Sequence, residues 1–157
     1  DAGVSFTFRT HHILTPDRHL PLSLQTQMNP HVVVFSLFPG IQENIARHMF
    51  DAPELRGIVM RSFGSGNAPQ KPWLTRLLKD ATQRGVTIVN ISQCVAGFVK
   101  MGRYDTGFQL QDAGVVSGGD STVESAITKL MFLQAHYKDP RVIRNLMGRS
   151  ICGEITK

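Results

Sequence analysis

The stretch GIVMRSFGSGNAP occupies residues 57–69, and its pattern indicates the fold of the whole chain. A short apolar run leads into a turn that contains Gly64 and Gly66, and a helical pattern follows from near Pro72. This order predicts a strand, a glycine-rich turn and a helix, which is the repeating unit of a parallel α/β sheet. Ligands bind such sheets at the carboxyl ends of the strands, so the turn is expected at a binding edge.

The side chains of this turn suit a small anionic or zwitterionic ligand. Arg61 supplies a planar cation that matches a carboxylate or phosphate, and Asn67 supplies a neutral donor and acceptor. Gly64 and Gly66 permit backbone conformations and close approaches that a side chain would block. The spacing is neither that of the dinucleotide motif nor that of the P-loop. The alternative is a purely structural turn, with Arg61 in an ion pair.

A second group of polar residues is expected beside Arg61. Ser92, Gln93 and Cys94 follow the third predicted strand, and neighbouring parallel strands end at the same edge of a sheet. A hydroxyl, an amide and a thiol there would complete a small polar pocket. A nucleophilic Cys94 would need a positioned base, and no His follows it within the next turn. The alternative interpretation of Cys94 is a buried, small hydrophobic residue.

The rest of the chain alternates strands and helices. Apolar runs predict strands at residues 32–37, 58–60, 86–91 and 115–116. Helical spacing and start signals predict helices that begin near Ile41, Pro72, Ser121 and Asp139. The order β-α-β-α-β-loop-β-α-α predicts an α/β fold, with a three-layer, mostly parallel, flavodoxin-like sheet of about four strands flanked by helices.

This domain is expected to span residues 31–157 and to follow a separate segment at residues 1–30. Alternation of apolar and polar residues at Val4–Phe8 and again at Leu20–Leu24 favours a short β-hairpin, whereas Pro21 favours a linker. The chain starts at Asp1 rather than at a Met, as a fragment or a processed product would.

Two further stretches carry side chains with useful chemistry. Residues 100–107 form a long polar loop without clear periodicity, which either covers a site through Lys100 or Tyr104 or simply crosses the surface. Ser121 and Glu124 have the spacing of a capping box. We therefore expect Ser121 to cap the next helix and Asp120 to complement the helix N-terminus, rather than to form a catalytic pair.

Composition excludes several classes of function. The chain has 157 residues, of which 41% are hydrophobic and 18% charged, so a globular domain is expected. The net charge of +5 comes from scattered basic residues, which argues against a nucleic-acid partner. No apolar run is long enough to cross a membrane. Two cysteines are too few for a disulfide framework and favour a reducing, cytoplasmic setting. The six histidines lack metal-ligand spacing, so neither a metal nor another cofactor is predicted.

Several stretches, taken in order, resemble one family. They lie at residues 34–41, 61–69, 89–94, 101–107, 113–120 and 146–154. Together they look like the carboxy-terminal domain of cytoplasmic, bacterial type I L-asparaginases. The resemblance covers essentially the whole chain, and residues 1–30 match the interdomain region of that family.

The resemblance implies a function for the whole protein and a role for this chain. The family hydrolyses L-asparagine to L-aspartate and ammonia with a threonine nucleophile in an amino-terminal domain. None of that domain's motifs occurs here, so the chain holds no catalytic residue and is expected to be inactive alone. Its expected partners are L-asparagine, the amino-terminal catalytic domain and further copies of itself in a homodimer or homotetramer.

The resemblance also implies roles for four residues. In the family, the Gly-x-Gly-Asn turn reaches the active site of a neighbouring subunit, so Asn67 would contact the substrate there. Type I enzymes also bind asparagine at an allosteric site, whose matching positions are Arg61, Ser92 and Cys94. The family often has Thr where this chain has Ser92, which keeps the hydroxyl and loses a methyl group. The alternative, from the residues alone, is a stand-alone flavodoxin-like module that binds a phosphate or nucleotide at Arg61 and Gly64–Gly66.

Overall fold

A computed structural model of the chain describes residues 8, 10, 13–17, 19–102 and 105–156. The elements in chain order are β1 (Val32–Ser36), α1 (Glu43–Phe50), β2 (Gly57–Ser62), α2 (Pro72–Gln83), β3 (Thr87–Ser92), α3 (Asp105–Asp112), β4 (Val116–Ser117), α4 (Val123–His136) and α5 (Pro140–Met147). The four strands form one sheet in the order β1-β2-β3-β4, and every neighbouring pair is parallel. The predicted α/β sheet is therefore confirmed.

Helices cover both faces of the sheet and make three layers. On one face, Phe35 and Met60 pack against α1, α2 and α3 through residues such as Phe50 and Leu77. On the other face, Val59, Val89 and Ile91 pack against α4 and α5. Because β2 and β3 are covered on both sides, their sequences are continuous apolar runs rather than alternating patterns.

Helices α2 and α5 begin at the residues that the sequence indicates, and α2 also ends where the sequence indicates. Pro72 occupies the first position of α2, and Gly85 follows the helix end with a φ of +90°. Asp139 caps α5 because its side chain accepts a hydrogen bond from Arg141 N at 2.9 Å, and Pro140 occupies the first helical position. Proline at the first helical position, the Asp cap and the glycine after the helix end act within one turn of the helix, so local signals were sufficient here.

The predicted loop at residues 100–107 is wrong in its second half, where α3 begins at Asp105. This helix has only two large apolar residues, so its sequence shows no clear stripe. Leu110 is buried against the α1–α2 face of the core, and this tertiary contact stabilises the helix. Tyr104 lies outside the described residues, so its predicted role over a site stays a prediction.

The predicted cap of α4 is also wrong by one residue. Thr122 is the cap, and its hydroxyl accepts a hydrogen bond from Ser125 N at 3.2 Å. Ser121 is buried instead, and its hydroxyl donates to Glu154 O at 3.3 Å. Both residue types cap helices well, so the contact of Ser121 with the C-terminal segment decides between them.

The second half of the predicted hairpin is not a strand. Residues 20–30 are irregular, and Leu22 is fully exposed. No strand in the described part of the chain pairs with this stretch, and Pro21 lacks the amide that a strand ladder needs. Of the first half, Val4–Phe8, only Phe8 lies within the described residues.

Candidate functional site

The glycine-rich turn closes on itself directly after β2. Phe63 N donates to Asn67 O at 2.9 Å, and Asn67 N donates back to Phe63 O at 2.8 Å. Gly66 adopts a φ of +109°, and a Cβ there would lie 2.8 Å from Val99 Cγ1. Glycine is thus required at position 66 by both conformation and space.

Donors from outside the turn hold its backbone carbonyls. Ser92 Oγ donates to Gly64 O at 2.7 Å, and Asn90 Nδ2 donates to Gly66 O at 3.2 Å. Sequence reasoning missed Asn90, which is completely buried in the middle of β3. The available signal was a lone amide side chain within an apolar strand, because a buried amide must find hydrogen-bond partners.

Arg61, Ser92 and Cys94, the three residues predicted to share a site, line one cavity of about 210 Å³. The first turn of α4 and the residue Asp120 form its opposite wall. Parallel pairing places Ser62 beside Ser92, which brings the ends of β2 and β3 together as expected. A larger hollow of about 660 Å³ against β4 and α5 contains none of the predicted site residues.

The cavity contains both signs of charge. Arg61 Nε is buried and has no hydrogen-bond partner, and no ion pair among the described residues involves Arg61. This argues against a purely structural role in an ion pair. Asp120 and Glu124 add two carboxyl groups to the lining. Burial raises the pKa of Asp120, but hydrogen bonds from the hydroxyl and amide of Thr156 outweigh it and lower the pKa below its ordinary value. A cavity lined by a guanidinium and by carboxyl groups suits a zwitterionic ligand, whose carboxylate and ammonium groups can pair with opposite charges.

Cys94 is exposed, so its interpretation as a buried hydrophobic residue is wrong. The residue follows the end of β3, where the chain leaves the sheet, and its backbone amide donates to Ser92 Oγ at 3.0 Å. The described lining of the cavity includes no histidine that could act as its base. Cys94 therefore contributes a polar side chain to the cavity lining and is not activated as a nucleophile by a histidine of that lining.

Asn67 lies at the other end of the turn and does not line the cavity. Its backbone closes the turn, and the residue is half-buried. The structure thus brings Arg61, Ser92 and Cys94 together and separates Asn67 from them by the turn itself.

The turn is poorly suited to cradle a phosphate. Phosphate loops point successive backbone amides at the ligand. Here the amides of Gly66 and Asn67 both donate to Phe63 O, inside the turn. Two of the donors that the phosphate or nucleotide alternative requires are therefore already occupied.

No group of three or more His, Cys, Asp or Glu side chains within the described residues could hold a metal ion. Over the same part of the chain, no helix is both long enough and apolar enough to span a bilayer.

Comparison with known proteins gives consistent matches. Residues 31–147 match the family described as "Glutaminase/Asparaginase C-terminal domain". L-asparaginase 1 of Escherichia coli (strain K12) is 40% identical over 123 residues, which are 78% of this chain and 36% of that protein. The 60 kDa lysophospholipase of Homo sapiens is 36% identical over 155 residues, which are 98% of this chain and 27% of that protein.

A solved structure matches in the same way. The crystal structure of L-asparaginase I from Vibrio cholerae O1 biovar eltor str. N16961 superposes with a TM-score of 0.78 at 40% identity, over 83% of this chain and 39% of that chain. The chain therefore spans less than half the length of each of these three relatives.

Proposed function

The chain belongs to the glutaminase/asparaginase C-terminal domain family, and we propose that residues 31–157 form the smaller domain of a cytoplasmic L-asparaginase, with residues 1–30 as the interdomain segment. The whole enzyme hydrolyses L-asparagine to L-aspartate and ammonia. The threonine nucleophile belongs to an amino-terminal domain, so this chain alone is inactive. The ordered motifs, together with 40% identity to L-asparaginase 1 of Escherichia coli, support this proposal.

A chimera tests this role. The C-terminal domain of Escherichia coli L-asparaginase 1 is replaced by residues 31–157, and ammonia release from L-asparagine is measured. We expect activity from the chimera and none from the present chain alone. Ammonia release by the chain alone, or a folded and inactive chimera, would contradict the proposal.

We further propose that the cavity at Arg61, Ser92 and Cys94 binds free L-asparagine as a regulator. Arg61 carries this proposal: it lines the cavity, its Nε has no hydrogen-bond partner, and a guanidinium can bind a carboxylate bidentately. Asp120 and Glu124 can attract the α-ammonium group from the opposite wall. Occupancy regulates the enzyme only if asparagine prefers one arrangement of the subunits.

Calorimetric titration of the chain tests this site. We expect L-asparagine to bind to the wild-type chain and not to Arg61→Ala. Succinamic acid, which lacks the amino group, and inorganic phosphate serve as comparison ligands, and both should bind more weakly. Equal binding of L-asparagine to Arg61→Ala would refute the site, and tighter binding of phosphate would favour the phosphate alternative.

Asn67 has a different proposed role, as a contact with the substrate in the active site of a neighbouring subunit of a homodimer or homotetramer. Its position at the far end of the turn, outside the cavity, is compatible with such a contact. In the chimera, Asn67→Ala should lower asparagine hydrolysis by roughly tenfold or more, whereas L-asparagine binding to the isolated chain should remain. Unchanged hydrolysis would exclude this role.

A further inference from the structure

The hollow of about 660 Å³ lies at the free edge of the sheet, where β4 meets the end of α5 and residues 155–156. β4 is the last strand of the sheet, and within the described residues only β3 pairs with it. The hollow shares no described lining residue with the cavity at Arg61. Its volume falls in the range of roughly 300–1,000 Å³ that is typical of small-molecule sites. It is therefore a second candidate site.

The polar wall of the hollow carries positive charge. Arg144 and Arg149 both line it, and none of the described lining residues is acidic. Neither arginine forms an ion pair within the described part of the chain. Asp139 is within electrostatic reach of Arg144, but its carboxylate is already paired with Arg141 at 3.0 Å. Two guanidinium groups without a bound carboxylate favour an anionic ligand at this wall.

The end of α5 does not oppose an anion as a bare helix end would. The last carbonyls of a helix usually lack partners and carry partial negative charge. Here Gly148 N donates to Arg144 O at 3.3 Å. Lys129 Nζ, from α4, donates to Met147 O at 3.4 Å and to the carbonyl of Arg149. These carbonyls are thus occupied inside the protein.

The free edge of β4 adds a backbone donor to the same region. Ser117 pairs with Asn90, whose carbonyl accepts a hydrogen bond from Gly118 N at 2.9 Å. In this parallel register, the N–H and C=O of Ser117 itself point away from β3, toward the unpaired edge. A Cβ on Gly148 would lie 3.8 Å from Ser117 O, so this edge adjoins the end of α5. An oxygen ligand at the edge has a backbone N–H close to the arginine wall.

The remaining wall of the hollow is apolar. Val115 and Ile155 are buried, Val116 and Met101 are half-buried, and the Phe98 ring is 41% exposed. A hydrocarbon group placed against these side chains would leave water, which is favourable by about 25 cal/mol for each Å² covered.

We propose that the hollow binds an organic anion in which a carboxylate is attached to a hydrocarbon group. Arg144, Arg149 and the edge of β4 hold the carboxylate, and the apolar wall covers the hydrocarbon. L-Asparagine has no such hydrocarbon group, so this site differs in ligand class from the proposed cavity at Arg61 and does not rest on it.

The first test is an NMR titration of the chain with octanoate, followed through the backbone amide signals. Octanoate should move the signals of Ser117 and Arg149 and leave those of Arg61 and Ser92 in place. Acetate keeps the charge without the chain, and octanamide keeps the chain without the charge. Both should bind at least roughly tenfold more weakly than octanoate. Equal binding of acetate, or signals that move only at Arg61 and Ser92, would overturn the proposal, as would no response to octanoate.

The second test removes one charge at a time. Arg144→Gln and Arg149→Gln should each weaken octanoate binding by roughly tenfold, the effect of one lost hydrogen bond to a charged group. Arg76→Gln is the matched control, because Arg76 is an exposed arginine of α2 that does not line the hollow. It should bind octanoate like the wild type. The same affinity in all four proteins would refute the arginine wall, and with it the proposed site.

Discussion

The glycine-rich turn and the C-terminal strap, residues 149–156, are both hydrogen-bonded to residues that line the cavity, but they are held by different kinds of interaction. Neutral donors hold the turn at its backbone carbonyls. The strap is held by a buried ion pair, in which Lys129 Nζ lies 2.5 Å from Glu154 Oε1 and the two side chains are only 7% and 8% exposed. Lys129 also donates to the carbonyl of Arg149.

The strap fixes the wall of the cavity that faces Arg61. Ser121 donates to Glu154 O, and Asp120 accepts hydrogen bonds from Thr156. A buried charge that loses its partner is strongly destabilising, whereas an exposed carbonyl that loses a neutral donor is rehydrated. The difference predicts that the contacts on the α4 side contribute more to stability than the contacts of the turn with β3. Four changes test this contrast, in order of expected effect.

Breaking the ion pair should have the largest effect. Lys129→Met leaves Glu154 buried without its cation, and we expect the free energy of unfolding to fall by about 3–5 kcal/mol. Urea denaturation measures this loss. Lys138→Met, on an exposed lysine, is the matched control and should change stability by less than about 0.5 kcal/mol. Equal losses of unfolding free energy in the two variants would mean that the ion pair does not stabilise the strap.

Lowering the pH should weaken the strap over a defined range. Burial by itself raises the pKa of Glu154. Hydrogen bonds from Lys129 and from the backbone amides of Cys152 and Ile151 have the larger, opposite effect, so the pKa falls from 4.5 to about 2. Since the folded pKa is depressed, the stabilisation is complete above pH 4.5 and is lost as the pH falls toward 2. The loss is roughly 3 kcal/mol for a side chain this buried.

Glu154→Gln separates this effect from that of the other carboxylates. Its unfolding free energy should lack the decline between pH 5 and pH 2 that distinguishes the wild type. Parallel pH profiles for the two proteins would assign the acid sensitivity to other groups.

The packing of the turn depends on the close approach of Gly66 to Val99 rather than on a charged pair. Gly66→Ala and Gly40→Ala both place a side chain at positive φ, but only the Cβ at position 66 meets a neighbour, Val99 Cγ1, at 2.8 Å. We expect Gly66→Ala to cost about 1–2 kcal/mol more than Gly40→Ala in thermal or urea unfolding. Similar losses for both variants would mean that conformation alone requires glycine at position 66.

The smallest effect should come from the cap of α4. Thr122→Ala removes the acceptor for Ser125 N and should cost about 1 kcal/mol, while Thr122→Ser keeps the hydroxyl and should cost little. Chemical denaturation of the two variants measures the difference. If Ser121→Ala weakens helix formation and Thr122→Ala does not, the cap has been assigned to the wrong residue.

Local signals predicted the elements correctly wherever they were strong and uncontested. The apolar runs of β1, β2 and β3 and the Leu74–Ala81 stripe of α2 define elements that the structure contains at those places. Local signals were insufficient at α3, whose burial rests mainly on Leu110, and at Thr122, which lies next to a second residue suited to capping, Ser121. In both cases the deciding contact comes from residues far away in the chain.

The candidate site shows the same division. Parallel topology was enough to predict that Arg61, Ser92 and Cys94 lie together, because they lie at or just after the carboxyl ends of neighbouring strands. The opposite wall at Asp120 and Glu124, and the buried role of Asn90, were not predicted. Neither follows from spacing along the chain, since each depends on how α4 and the turn pack against the sheet.

The sequence by itself determined the alternation of strands and helices, the parallel sheet and the edge at which a ligand would bind. These follow from hydrophobic period and turn chemistry, which act over a few residues. Only the tertiary structure decided that Ser92 bonds to Gly64, that Lys129 meets Glu154 and that Cys94 is exposed. Hydrogen bonds and ion pairs between distant residues form only after burial has brought their partners together, so no local pattern encodes them.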